Sequence, residues 1–137
     1  MKRGFVVRTL AAVLAVGVAG GISCSKDSNG PVAGNLKVQL TSLNSGADSA
    51  IVFTINGPAA LTSATPGTGL RLFAQTLGGT TTRFALTGRL NTNTTILTIG
   101  VENVNAVSQY SGTIEGVAQP NYALRLLPGG YLLAVIR

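Results

Sequence analysis

The chain has 137 residues, 45% of them hydrophobic and 10% charged, and its 10 Lys and Arg against 4 Asp and Glu give a net charge of +6. It contains no histidine and a single cysteine, Cys24. That inventory excludes Ser-His-Asp and Cys-His catalysis, histidine acid–base chemistry and the common zinc sites, all of which need imidazole or several thiolates.

Residues 1–8, MKRGFVVR, carry Lys2, Arg3 and Arg8 with no acid, and the stretch from Thr9 to Ile22 follows without a charge. A basic segment followed by an apolar one is the pattern of an export signal. The apolar run of about 14 residues is shorter than the roughly 18–20 that cross a hydrocarbon core as a helix, so it reads as a cleaved signal helix. It ends in GISC, with the small residues Gly21 and Ser23 ahead of Cys24 and the polar stretch SKDSNGPVAG behind it. This resembles the lipobox of bacterial lipoproteins, with Gly21 at a position where that family usually has leucine. The resemblance implies cleavage before Cys24, diacylation of its thiol and acylation of the new amino group by a fatty chain such as palmitate. Two or more chains anchor a protein stably where one is marginal. Ser25, standing where a retention aspartate would be, implies the outer membrane by the same resemblance.

The competing reading is an ordinary secretory signal cut after Gly21 or Ser23, which would leave Cys24 as a free thiol. Either cut removes Lys2, Arg3 and Arg8 and lowers the net charge to +3. With so small a charge and no basic cluster, nucleic acid is not an expected partner.

The organisation expected is therefore a signal peptide over residues 1–23, a lipidated cysteine and flexible tether over 24–34, and one domain over 35–137. The tether is rich in Ser, Lys, Asp, Asn, Gly and Pro and holds too little apolar surface to order itself. In the domain, LKVQLTS alternates Leu36, Val38 and Leu40 against Lys37, Gln39 and Thr41, and AIVFTIN places Ile51, Phe53 and Ile55 on one face before Gly57-Pro58. Period two is the signature of a half-buried strand. GLRLFAQTL and TRFALTG flank Gly78-Gly79, a hairpin signal. A three-residue loop centred on Gly79 aligns Leu72 with Leu86 and Ala74 with Phe84. A two-residue turn would slip the register and exchange the faces.

Further strands are read in TTILTIGV, SQYSGTIEGVA, YALRLL and YLLAVI. A turn at Gly129-Gly130 would set Leu124 and Leu126 opposite Val135 and Leu133. YLLAVI is apolar on both faces, so it is expected inside a sheet or covered. No segment has apolar residues at helical spacing, and Thr, Val, Ile and Gly abound where Glu and Lys are scarce. The fold class expected is all-β: a single immunoglobulin-like β-sandwich of about 7–9 antiparallel strands with Greek-key connections. DSAIVFTINGP and YSGTIEGVAQPNYALRLLPGGYLLAVIR also loosely resemble the cohesin-like and carbohydrate-module sandwiches of bacterial surface proteins. An eight-stranded outer-membrane barrel is the alternative, but it needs longer strands and aromatic girdles that this chain lacks.

The remaining chemistry is sparse. The domain's carboxylates are Asp48, Glu102 and Glu115. Glu102 and Glu115 form the one candidate pair for glycosidic hydrolysis, and solvated surface acids are the plainer reading. NSGADS around Asp48 offers few oxygen ligands for calcium, and no metal or other cofactor is expected. PGTGL and LGGT lack the lysine and helix of a phosphate loop and read as turns. Arg71 and Arg83 are placed on the polar face of one hairpin with Arg89 just beyond, a possible basic strip for an anionic partner such as a lipopolysaccharide phosphate or an acidic glycan. Tyr110, Tyr122 and Tyr131 can stack on sugars if exposed.

The function expected is a lipid-anchored, non-enzymatic module of the bacterial cell envelope that binds an envelope protein or a glycan. The alternatives are a small carbohydrate-binding or carbohydrate-active module using Glu102 and Glu115, and an assembly or inhibitor protein that lends an edge strand to a partner.

Overall fold

The computed structural model describes residues 30–137, so Cys24 and the signal and tether readings up to residue 29 lie outside the described residues. Eight strands follow in order: β1 (Gly34–Thr41), β2 (Asp48–Asn56), β3 (Ser63–Pro66), β4 (Arg71–Gly78), β5 (Thr81–Leu90), β6 (Thr94–Val101), β7 (Ser111–Ala118) and β8 (Leu132–Ile136). They form two four-stranded antiparallel sheets, ordered β3-β6-β1-β8 and β4-β5-β2-β7. The fold is an all-β sandwich. Its two sheets do not close into one ring, which disposes of the barrel alternative.

Alternation builds the core. Leu36, Val38 and Leu40 of β1 meet Ile51, Phe53 and Ile55 of β2, Phe84 and Leu86 of β5, and Ile96, Leu97 and Ile99 of β6, all at 0–1% exposure. The Phe53 and Phe84 rings stack at a tilt, 5.7 Å between centroids, and join the centre of one sheet across a strand pair. Burying side chains of this size contributes about 1.5–3 kcal/mol each. That apolar inner face explains why strands dominate despite 18 glycines.

The first hairpin has the register that face matching demands: Leu72 pairs with Leu86 and Ala74 with Phe84. Gly78 and Gly79, at φ of 127° and 55°, supply the left-handed backbone of the turn, where a side chain would be strained. Two elements escaped the sequence pattern, the short strand β3 and a kinked pair of 3-10 turns over Val104–Gln109 that buries Val104 and Ala106. The Asn103 side chain caps it by accepting from the backbone of Asn105 and Val32. Segments so short, four and six residues, leave no periodicity to read.

The last part of the chain corrects two expectations. YALRLL and YLLAVI do not form a hairpin; Leu124 bridges back to Ala118 of β7, whereas β8 pairs with β1, Leu133 opposite Leu40 and Val135 opposite Val38. β8 is also an edge strand, not an interior one, and Leu132 and Ile136 on its outer face are exposed. Joining β1 packs the partly buried Leu133 and Val135 against the main core, a larger gain than a two-stranded ribbon offers.

Candidate functional site

The strand registers gather most connections at one end. In one sheet the end of β1, the end of β3, and the starts of β6 and β8 lie side by side. In the other, the starts of β2 and β4 lie beside the ends of β5 and β7. Four links between the sheets, residues 42–47, 67–70, 91–93 and 119–131, join these two ends. The chain enters β1 at Gly34, at the other end of its sheet.

Hydrogen bonds stitch the links together. Residues 42–47 and 91–93 are tied by Gly46 N donating to Leu90 O (2.7 Å), Ser42 N to Thr92 Oγ1 (2.8 Å) and Thr92 N to Ser45 Oγ (2.9 Å). In the longest link, Gln119 N donates to Ala123 O and Tyr122 N to Gln119 O, making a tight loop with Tyr122 in left-handed conformation at φ 68°. Arg125 N then donates to Val117 O, so the chain runs briefly back along β7 before crossing to β8.

A polar clasp holds this link to the body of the fold. Arg125 Nε donates to Asp48 Oδ1 at 2.8 Å, the Tyr131 hydroxyl donates to Asp48 Oδ2, and Asn44 Nδ2 donates to the Tyr131 oxygen at 2.8 Å. Asp48 is 2% exposed, and such a carboxylate is tolerated only when paired and hydrogen-bonded, as it is here. Burial and the bond to Asp48 hold the Tyr131 pKa above its ordinary value. The hydrogen bond to Asp48 does the same for the Arg125 guanidinium. Both Asp48 oxygens are engaged, and among the described residues no three Asp, Glu, His or Cys side chains gather to hold a metal.

The links also present apolar side chains to solvent, Leu43 and Tyr122 at the loop end and Leu127 and Leu132 farther along, beside the start of β7. Leu43, Tyr122 and Leu126 are 84%, 90% and 91% exposed, and Leu124, Leu127 and Leu132 are also exposed. Leu43 packs on the Pro128–Tyr131 turn, since a Cβ placed on Gly130 would sit 2.8 Å from Leu43 Cδ1. The sequence carried a signal for this surface, because TSLNSG and LLPGG set leucines inside turn segments where polar residues are usual.

The three arginines are separated by the structure. Arg83 lies on the outer face of the β4-β5 hairpin and makes a two-pronged bond to Glu115, Nε to Oε2 at 2.8 Å and Nη2 to Oε1 at 3.2 Å. Arg71, the first residue of β4, and Arg89, next to the end of β5, both stand at the loop end. Arg89 runs under Gly46, where a Cβ would lie 2.9 Å from Nη2, and lines a hollow of about 270 Å³ with Thr68, Leu70, Asn91, Thr94 and Thr95. Neither Arg71 nor Arg89 has a carboxylate partner among the described residues.

Glu102 lies just beyond β6, in the link to β7, while the Glu115 carboxylate on β7 of the other sheet is occupied by Arg83. Of the tyrosines only Tyr122 is free to stack; Tyr110 and Tyr131 are buried, and burial raises the Tyr110 pKa with help from Glu102. A second concavity of about 480 Å³ lies between β7 and β8, lined by Gly112, Ile114, Leu127, Tyr131 and Leu133 among others. Both of these strands are sheet edges. No protein-family model and no curated protein matches the chain.

Proposed function

We propose that the chain is a lipid-anchored, non-enzymatic protein of the bacterial cell envelope, and that its sandwich is a binding module acting through the loop end. Cys24 carries the acyl chains, and residues 24–34 connect them to the strand that enters the fold at Gly34. Ser25 favours the outer membrane. A head of this kind is similar to the immunoglobulin-like and cohesin-like sandwiches of bacterial surface proteins.

The observation that carries the reading is the pairing of GISC and its polar spacer with a sandwich whose four exposed links stand at the end away from Gly34. The chemistry of that end supports binding over catalysis: apolar tips, two unpaired arginines and one carboxylate already saturated by donors.

Mass analysis of the processed amino terminus tests the anchor. The expected result is a mature chain beginning at Cys24 with acyl mass on it, and release into the soluble fraction, or an uncut signal, in Cys24→Ser. Unmodified sulfur at that position overturns the anchor.

A second reading, strand addition, is favoured by the free edge of β8 and the exposed Leu132 and Ile136 beside it. Protection of the β8 amides from hydrogen exchange in the presence of a purified partner would support it. Unchanged exchange in that complex opposes it.

A further inference from the structure

We infer that the chain forms a two-fold symmetric dimer by antiparallel pairing of β8 with β8 of a second copy. The inference rests on the second reading above in taking the β8 edge as the contact, and it names the strand that is added there. It does not depend on acylation of Cys24.

The sandwich has four edge strands, β3 and β8 in one sheet and β4 and β7 in the other. Natural proteins keep such edges from pairing with other chains by shortening them, placing charge or proline on them, bulging them or covering them. Three of the four carry such a device. β3 has four residues and ends at Pro66. β4 begins at Arg71, carries Gln75 and Thr76, and breaks register between Thr76 and Gly78. β7 carries Glu115 at a bulge, and the returning chain covers its end, where Leu124 bridges Ala118 and Arg125 N donates to Val117 O. β8, LLAVI, has no charge, no proline and an unbroken register with β1. Among the described residues no segment pairs with its other side.

The side chains of β8 are left part-covered on both faces. Leu132 and Ile136 on the outer face are 66% and 37% exposed, and Leu133 and Val135 on the inner face are only partly buried although they pack against the core. A strand laid beside β8 covers both rows at once.

The sequence of β8 favours a second copy as that strand. Antiparallel pairing about Ala134 sets Leu132 opposite the copy's Ile136 and Leu133 opposite the copy's Val135, so every residue meets an apolar partner and the smallest side chain stands on the axis. The copy's Val135 then stands beside the concavity of about 480 Å³ that Gly112, Ile114 and Leu127 line together with Leu133. A foreign strand would have to supply this pattern, whereas a copy brings it to every encounter. Charge selects the same orientation. Arg137 directly follows β8, and a parallel pair would set two of them side by side. In the antiparallel register they lie at opposite ends of the ladder, about 20 Å apart and beyond the screening length. The contact is isologous and closes at two chains, joining two sheets of order β3-β6-β1-β8 into one.

Five residue pairs make a small contact, so the dimer is expected to be reversible and is read by dilution. The test uses the full chain carrying Cys24→Ser. Sedimentation is expected to show a mass rising from one chain towards two between about 1 μM and about 1 mM, with the β8 amides gaining protection from hydrogen exchange over the same range. Ala134→Lys, on the exposed outer face, sets like charges directly opposite each other and should weaken the dimer by about tenfold or more while circular dichroism stays that of the parent. Ala134→Glu should do the same, and an equimolar mixture of the two should associate again. Because Cys24 is the only cysteine, Ala134→Cys in this background has one thiol, and oxidation should link it to its copy. Leu132→Cys, about 14 Å from its own counterpart in this register, should link much more slowly. A single-chain mass at every concentration overturns the inference, and so does association that the Ala134 charge variants leave unchanged. If the chain stays monomeric while a purified partner protects the β8 amides, this inference fails and the second reading stands; if neither occurs, both fail.

Discussion

The Tyr131 hydroxyl donates to the buried carboxylate of Asp48, 83 positions away in sequence, and so closes the start of β8 onto the start of β2. Arg125 takes the other carboxylate oxygen at 2.8 Å. Removing the acceptor strands two donors, and removing one donor leaves a buried charge short of partners. Asp48→Ala is expected to cost about 3–5 kcal/mol and Tyr131→Phe about 1–3 kcal/mol, read from urea midpoints. A loss below about 1 kcal/mol in Asp48→Ala would show that the clasp does not hold the link.

Stability is expected to fall on the alkaline side. Burial raises the pKa of both Tyr131 and Tyr110 in the folded chain, so the folded state keeps their protons more tightly than the unfolded one. Their contribution is complete below the ordinary tyrosine value of about 10 and is lost as pH climbs through the higher folded values. Urea midpoints should therefore drop above about pH 10, less steeply in Tyr131→Phe. A flat profile to pH of about 11 would contradict the assignment.

The Arg83–Glu115 pair should matter little. Its side chains are 42% and 34% exposed, so water screens the attraction despite the two-pronged geometry. A double-mutant cycle with Arg83→Ala and Glu115→Ala is expected to give a coupling below about 1 kcal/mol. A larger coupling would mean that the outer face of this sheet is shielded in the working protein.

Two glycines separate close packing from open space. A Cβ on Gly57 would run into the ring of buried Tyr110, whereas one on Gly116 meets nothing within 4 Å. Gly57→Ala should destabilise by about 1–3 kcal/mol and Gly116→Ala by no more than about 0.5 kcal/mol. Thermal unfolding of the two variants side by side checks the contrast.

What could be read from the sequence was whatever alternation controls. Leu36, Val38 and Leu40, and Ile51, Phe53 and Ile55, declared their inner face by spacing alone, and the chain folds with all six buried. The Leu72–Leu86 register followed from the same requirement, because a slip of one residue would have turned a whole strand inside out. Arg71 and Arg83 were correctly placed on one outer face, but Glu115 as the partner of Arg83 was not foreseeable. Val52 pairs with Gly116 and Phe53 with Ile114, so Glu115 is the extra residue of a bulge that only strand pairing reveals.

The end of the chain shows where local information stops. YLLAVI is apolar on both faces, so alternation could not orient it, and Gly129-Gly130 was locally as good a hairpin turn as any. The choice of β1 as its neighbour came from packing Leu133 and Val135 against a core assembled by distant strands, and from Arg125 and Tyr131 converging on Asp48. The same choice left Leu126 and Leu132 in solvent. By itself the sequence determined which face of each alternating strand points inward, because that depends on neighbours two residues apart. Which strands meet, and therefore which side chains remain for a partner, was decided only in the tertiary structure, because it depends on contacts among segments dozens of residues apart.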